Sequence, residues 1–469
     1  MTSWRHRYKT AKRLLVSGDL KNLLILVLAF IPRLFESNSD IDYQSWRKKW
    51  VEINMNDRSR IDEMIKLMNE KPVFEIFIGS DNIDVTDMKK TINSLLGQCY
   101  PFWYASLLPV QGSETDLTSI AKSFGDERIK IFDPEIKTKG SWVGQVHSGE
   151  LLNETALFIL ADHVNKNSDT KIMYTDHEHI NINGDFLDPY MKPDWNPTLL
   201  RGVNYLYPLV FFQVDLWNAH HDMNISSHEL TLKISFDCKN HEVQHLPFVL
   251  ASVPLKNKES HLNPPILKEK VTLPSPLPKV SILIPTKNKG RVLARCLSTI
   301  KKLTNYKNYE LVVIDHETTS KKAKKQISDV RNSDNGVVVE FTGPFNFSSI
   351  INTGASHASG DVLLLLNNDT EIIDPDWLSN LIARLYQSDV GVVGALLLFN
   401  DGTIQHAGIH SDAGLMKHGH KHWDGDSSGY FSRLLIPHEV MAVTGACLAT
   451  RKDTWERIGG LDEENLPVA

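Results

Sequence analysis

The sequence predicts an α/β protein: two tandem domains, each with a Rossmann-like, mostly parallel sheet, behind an N-terminal helical segment. Three observations lead there. Short unbroken apolar runs such as Val362 to Leu366 end abruptly at turn residues, as strands buried on both faces do. These runs alternate with stretches whose apolar residues recur at spacings of three and four, the βαβ order of a parallel sheet. The whole order appears twice: Val280 lies 207 residues after Val73, and Tyr306 lies 206 after Tyr100. Two long similar halves read as a repeated unit.

The totals narrow the class. A chain of 469 residues is too long for one ordinary domain. Its net charge of −6 gives no basic field, so a nucleic-acid partner is not expected. Cys99, Cys238, Cys296 and Cys447 are scattered, which argues against a zinc site or a disulfide framework and fits a reducing, cytosolic setting.

Residues 1–70 form the helical segment. Arg5, Arg7, Lys9, Lys12 and Arg13 precede the nine apolar residues Leu23 to Ile31. That run is too short to span a bilayer. It reads as a helix on an anionic membrane surface, with packing on the protein's own core as the alternative. The first domain covers residues 71–255. Val73 to Ile78 is its first strand, Met88, Ile92, Leu95 and Leu96 mark a helix, and Phe102 to Leu108 is the next strand. Tyr174 to Glu178, with His177 and His179, reads as hydrogen-bonded surface polar residues, a metal site being the alternative, and Asp188 to Pro197, with three prolines, as an irregular excursion. A linker over 256–277 is rich in proline.

The second domain covers 278–469. Val280 to Pro285, Glu310 to Asp315, Val337 to Phe341, Val362 to Leu366 and Gly391 to Phe399 are its strands. Asp374 and Pro375 read as the N-cap and first residue of a helix. Polar residues follow three strands: Pro285 to Asn288, Asp315 with His316, and Asn367 to Asp369. In a doubly wound sheet these ends meet on one edge, where ligands bind. Asp369 suits a hard divalent cation that keeps water and phosphate oxygens in its shell, although Asn-Asn-Asp is also ordinary turn composition. Neither a phosphate loop nor a Gly-x-Gly-x-x-Gly fingerprint follows a strand.

The stretches Val280 to Asn288, Leu311 to Asp315, Phe345 to Ser348, Leu363 to Glu371 and Val443 to Cys447 resemble the family 2 glycosyltransferases of GT-A fold, of the tandem type that builds O-antigen and other bacterial surface polysaccharides. The resemblance spans about 72–469 and is stronger in the second half. It implies sugar transfer from a nucleotide-sugar donor, with inversion, to a glycan or lipid-linked glycan at the cytoplasmic face of the membrane. It places the donor at Pro285, Thr286, Asn288, Asp315, Asn352, Asn367 and Asn368. A divalent metal, Mg or Mn, falls to Asp369, the last residue of the family's Asp-x-Asp motif, with Asn367 in place of the first. The acceptor side falls to Gly445, Ala446 and Cys447.

Two departures stand out. In the first half the metal motif's place falls at Gln145 to Glu150, with no Asp-x-Asp, so that half resembles a degenerate, scaffolding or glycan-binding domain. At the other end, Gly459 to Ala469 resembles the segment leading into the motif that bears the catalytic base, and the base is expected beyond Ala469. A truncated, inactive transferase and a non-catalytic sugar-nucleotide or glycan-binding protein are therefore the alternatives, with a nucleotidyltransferase third. His406, His410, His418, His420 and His422 read as an acceptor-side loop, with a metal site at His418 to His422 as the sharper alternative.

Overall fold

The computed structural model describes residues 42–468, other than 80–83, 110–113, 134–137, 223–224, 256–271 and 413–414. The basic and apolar stretch through Ile31 and most of the expected linker lie outside the described residues. The described residues fall into two compact units, one drawn from Val27–Lys268 and Ser428–Glu439, the other from Glu269–Ser427 and Val440–Ala469.

The first unit opens with helices Tyr43–Trp50 and Met55–Leu67. Its strands are β1 Phe74–Gly79, β2 Trp103–Leu107, β3 Ile129–Ile131, β4 Trp142–His147, β5 Leu151–Leu152, β6 Ile172–Ile180, β7 Phe186–Tyr190, β8 Val210–Gln213 and β9 Val243–Pro254. They form one sheet in the order β3-β2-β1-β4-β8-β6-β9-β5, with β7 beside β6. β1 to β4 are parallel. β8 runs against both β4 and β6.

The second unit contains β10 Val280–Thr286, β11 Tyr309–His316, β12 Gly336–Phe341, β13 Val362–Leu366, β14 Val392–Gly394, β15 Leu397–Leu398, β16 Ile404–His406, β17 Ile409–Asp412, β18 Leu415–His418 and β19 Cys447–Arg451. Its main sheet runs β12-β11-β10-β13-β19-β14. β10 to β13 are parallel and β19 is antiparallel to its neighbours. The α/β class therefore holds. All five residues of β13 are buried, as a central parallel strand requires. The helix Gly290–Leu303 buries Leu293, Cys296 and Ile300 against this sheet. Its first residue must be glycine, since a Cβ on Gly290 would lie 2.5 Å from the Ala323 backbone nitrogen.

The units share more than strand order. Tyr100 Oη donates to the Pro72 carbonyl at 2.9 Å, and Tyr306 Oη donates to the Pro278 carbonyl at 2.5 Å. Both bonds tie a tyrosine three residues before β2 or β11 to the entrance of the first strand. In each unit a carboxylate and a serine bridge the first two strands, with the carboxylate on the first strand in one and on the second in the other. Glu75 on β1 accepts from Ser106 on β2 at 2.9 Å, whereas Ser281 on β10 donates to Glu310 on β11 at 2.6 Å.

Several local expectations change. The helix after β13 starts at Trp377, with Asp376 at the N-cap position but making no side-chain cap bond, and Asp374 instead accepts from the Asp376 N–H in a turn. Gly391 to Phe399 is not one buried strand. β14 pairs only at the sheet's edge, and β15 turns away to pair with β16. Tyr174 to Glu178 is no surface stretch; it lies within β6, buried residue by residue. Its polar groups are matched from afar, as where Arg47 Nε bonds the Glu178 carboxylate at 2.9 Å and Ser252 Oγ bonds it at 3.0 Å. The proline-rich stretch after Ile180 is partly an edge strand, β7, where a missing N–H is tolerated.

Candidate functional site

The carboxyl edge of the second unit's sheet gathers most of the polar residues named from the sequence. β10 and β11 run in register, so Thr286 sits opposite Asp315. β13 ends at Leu366, and the chain turns at once through Asn367, Asn368 and Asp369. The side chain of Asn368 reaches across, its Nδ2 donating to Thr286 Oγ1 at 2.9 Å. The Asn367 N–H donates to the Ala446 carbonyl at 3.0 Å, tying the turn to the segment before β19. Asp369 is thereby left at the surface, exposed, on a turn fixed from both sides.

Asp315 is half-buried, and its Oδ1 accepts the Thr318 N–H at 3.0 Å. Asn288 takes a positive φ of 57°, a conformation asparagine tolerates better than most residues. Its Oδ1 accepts from the Thr319 and Ser320 amides at 2.7 and 2.8 Å. Asn288 thus splints the loop after β10 to the loop after β11. Pro285 is half-buried one residue before Thr286.

Other named residues are placed differently. Asn352, on the helix Phe347–Ser356, bonds the Leu461 carbonyl and the Glu463 carboxylate, each at 2.8 Å, and accepts the Leu461 N–H at 2.9 Å. Its amide is engaged with the 461–463 segment rather than with the strand-end cluster. Gly445 and Ala446 border the Asn367 turn. Cys447 is buried opposite Leu366, and burial pushes its thiol up to about 12; only its backbone can border a ligand.

The edge has a mixed charge. Arg295 pairs with Glu371 at 2.5 Å and Lys287 with Glu317 at 3.4 Å. Burial, helped by the nearby Asp369 and Glu371 carboxylates, pushes the Cys296 thiol up to about 12, so this cysteine is an inert packing group. Among the described residues no three His, Cys, Asp or Glu side chains converge as metal ligands. The donor set nevertheless fits a Mg- or Mn-type ion in one mode. One exposed carboxylate beside an amide can hold an ion whose remaining positions go to water and phosphate oxygens.

The corresponding edge of the first unit differs. Phe74 pairs with Trp142 as Val280 pairs with Val362, which aligns His147, Ser148 and Gly149 with Asn367, Asn368 and Asp369. Gly149 has a φ of 96° and no side chain to offer. The next residue, Glu150, is buried, and burial raises its carboxyl pKa. It turns inward, accepting the His147 N–H at 2.8 Å and a hydrogen bond from the Tyr207 hydroxyl.

The histidines separate into two groups. His406 and His418 meet through their Nδ1 atoms at 2.8 Å. His406 Nε2 accepts the Thr444 N–H at 3.4 Å, supporting the segment that carries Gly445. Sequence reasoning grouped these residues but missed this pair, because antiparallel strands rather than sequence spacing bring them together. His420 and His422 follow in turns with positive φ.

Residues 281–457 match the model for Glycosyl transferase family 2. That stretch belongs to the family. The matched stretch runs from Ser281 in β10 through β19 and holds Pro285, Thr286, Asn288, Asp315, Asn352, Asn367 to Asp369 and Gly445 to Cys447. Protein y4gI of Sinorhizobium fredii is 26% identical over 523 residues, covering all of this chain and 56% of its own length. The O-antigen biosynthesis protein RfbC of Myxococcus xanthus is 25% identical over 460 residues, covering 86% of this chain and 35% of its own. The chain thus spans about half or less of these relatives. Among solved structures, a mannosyltransferase of Pyrobaculum calidifontis in complex with GDP-Man and Mn2+ aligns with a TM-score of 0.31 and 20% identity, covering 42% of this chain and 52% of that one.

Proposed function

We propose that the family 2 domain binds a nucleotide-sugar at the edge formed by Thr286, Asp315 and Asn367 to Asp369. It passes the sugar, with inversion, to a glycan or lipid-linked glycan acceptor of an O-antigen-like surface polysaccharide. One observation carries the reading: the Asn368–Thr286 bond fixes the turn so that the Asp369 carboxylate stands exposed beside two strand ends. The name of the Myxococcus relative supports the acceptor class.

The residues divide the work. Asp315 accepts hydrogen bonds from the nucleoside, with Pro285 and Thr286 forming the floor beneath it. Asn288 keeps the two loops together. Asp369, with the Asn367 amide beside it, holds Mg or Mn, and a divalent ion there neutralises the departing diphosphate. Gly445 and Ala446 border the acceptor. The first unit, whose equivalent turn offers no exposed carboxylate, serves as a scaffold or a glycan-binding domain. Asn367 in place of a first motif carboxylate favours a second reading, donor binding without transfer.

Purified protein incubated with labelled UDP-, dTDP- and GDP-sugars and extracted glycolipid acceptors tests the proposal. Label in the glycolipid with release of nucleoside diphosphate supports transfer. Release of pyrophosphate, or donor binding with no labelled product, favours a nucleotidyltransferase or a binding protein instead.

A further inference from the structure

The first unit carries an open cleft of about 530 Å³, within the roughly 300–1,000 Å³ of small-molecule sites. It is built from the loop after β7, the turn Asn240–Glu242 with the start of β9, and Glu439. Its walls are held in place by bonds of their own. Trp195 Nε1 donates to Asn240 Oδ1 at 3.1 Å, which fixes the half-buried indole. His245 is gripped between two carboxylates, with Nδ1 at 3.0 Å from Asp194 and Nε2 at 2.9 Å from Asp176, and its ring stacks on Tyr174 at 4.9 Å. The Glu439 backbone is clamped by Asn196 through bonds of 2.9 and 3.1 Å, and its carboxylate takes the Thr198 hydroxyl at 2.9 Å.

The chemistry of these walls selects a ligand. Among the described residues no lysine or arginine lines the cleft, whereas Asp194 and Glu439 do. A diphosphate or an acidic sugar would meet these carboxylates with no lysine or arginine to offset them, and His245 is already engaged by Asp194 and Asp176. An indole face beside carboxylates and amides suits an uncharged, hydroxyl-rich ring. The aromatic face covers the ring's C–H side, and the carboxylates and amides take its hydroxyl groups. Because the side chains are already fixed, little ordering accompanies binding.

We propose that this cleft is a binding site for neutral oligosaccharide, with Trp195 as the stacking platform and Asp194, Asn240 and Glu439 as hydroxyl partners. The site lies wholly within the first unit and does not depend on the donor-site reading. It gives that unit a ligand even though its own strand-end turn lacks an exposed carboxylate.

The test is retention of the full chain on an immobilised panel of neutral hexose, 6-deoxyhexose and N-acetylhexosamine oligosaccharides, without any nucleotide. Uronic-acid oligosaccharides and spermine serve as charged controls. At least one neutral series should bind, acidic series at least tenfold more weakly. Trp195→Ala should weaken binding tenfold or more. Asp194→Ala, at a side chain 98% exposed whose one bond is to His245, should weaken it several-fold while the melting temperature shows the fold intact. Excess UDP with Mn should not compete. The proposal is overturned if no neutral oligosaccharide binds, if Asp194→Ala and folded Trp195→Ala both bind normally, or if spermine binds in preference to every glycan.

Discussion

Asn368 Nδ2 lies 2.9 Å from Thr286 Oγ1 and joins the ends of two neighbouring parallel strands. The bond aims the turn that carries Asp369. Asn368→Ala and Thr286→Val should each weaken nucleoside diphosphate binding about tenfold, near the ~1.4 kcal/mol of one well-placed hydrogen bond. Calorimetric titration checks this, and for Asn368→Ala, at a half-buried side chain, the melting temperature should barely move.

The paired tyrosines make a test of the repeat. Tyr100→Phe and Tyr306→Phe each remove one hydroxyl from a buried bond to a proline carbonyl. Each should cost roughly 1 kcal/mol. Urea unfolding of the two variants should give similar losses, whereas a loss in only one would show that the bonds are not equivalent.

Much of this was legible in the residues and some was not. β10, β11 and β13 announce themselves as apolar runs, and their polar ends mark the edge that carries Thr286, Asp315 and Asp369. Tyr174 to Glu178 was misleading because its polar residues find partners such as Arg47, 131 residues before Glu178, which no local pattern reveals. Asn352 is assigned to the donor by resemblance alone, and its bonds to Leu461 and Glu463 have no signal in the local sequence. The cleft beside Trp195 is assembled from distant segments, so sequence spacing alone gives no sign of it.

Glu310 predicts an acid limb. Burial alone would raise its pKa, but hydrogen bonds from Lys279, Ser281 and Ser359 outweigh it and hold the carboxyl at about 2. A folded value below the unfolded one of about 4.3 means the stabilisation is complete above that pH and is lost as pH falls toward 2. Glu310→Gln should therefore cost roughly 2 kcal/mol at neutral pH, and its deficit against the parent should shrink in unfolding series run from pH 7 to pH 3.

His406 predicts a second slope. Burial, with the His418 imidazole beside it, holds His406 down at about 4. The unfolded imidazole takes its proton near pH 6.5, so the unfolded chain binds the proton first and stability falls between about 6.5 and 4. His406→Gln should flatten that part of the profile, read from urea midpoints at pH 7, 5.5 and 4.5.

The central claim is that Asp369 marks a metal-assisted nucleotide site. The most direct measurement is calorimetric titration of UDP, dTDP and GDP into the full chain, with and without Mn, beside Asp369→Ala. The account predicts that one nucleotide binds at least tenfold more tightly with Mn and that Asp369→Ala abolishes the gain. Equal binding with and without Mn, or an unchanged Mn effect in the folded variant, would contradict it.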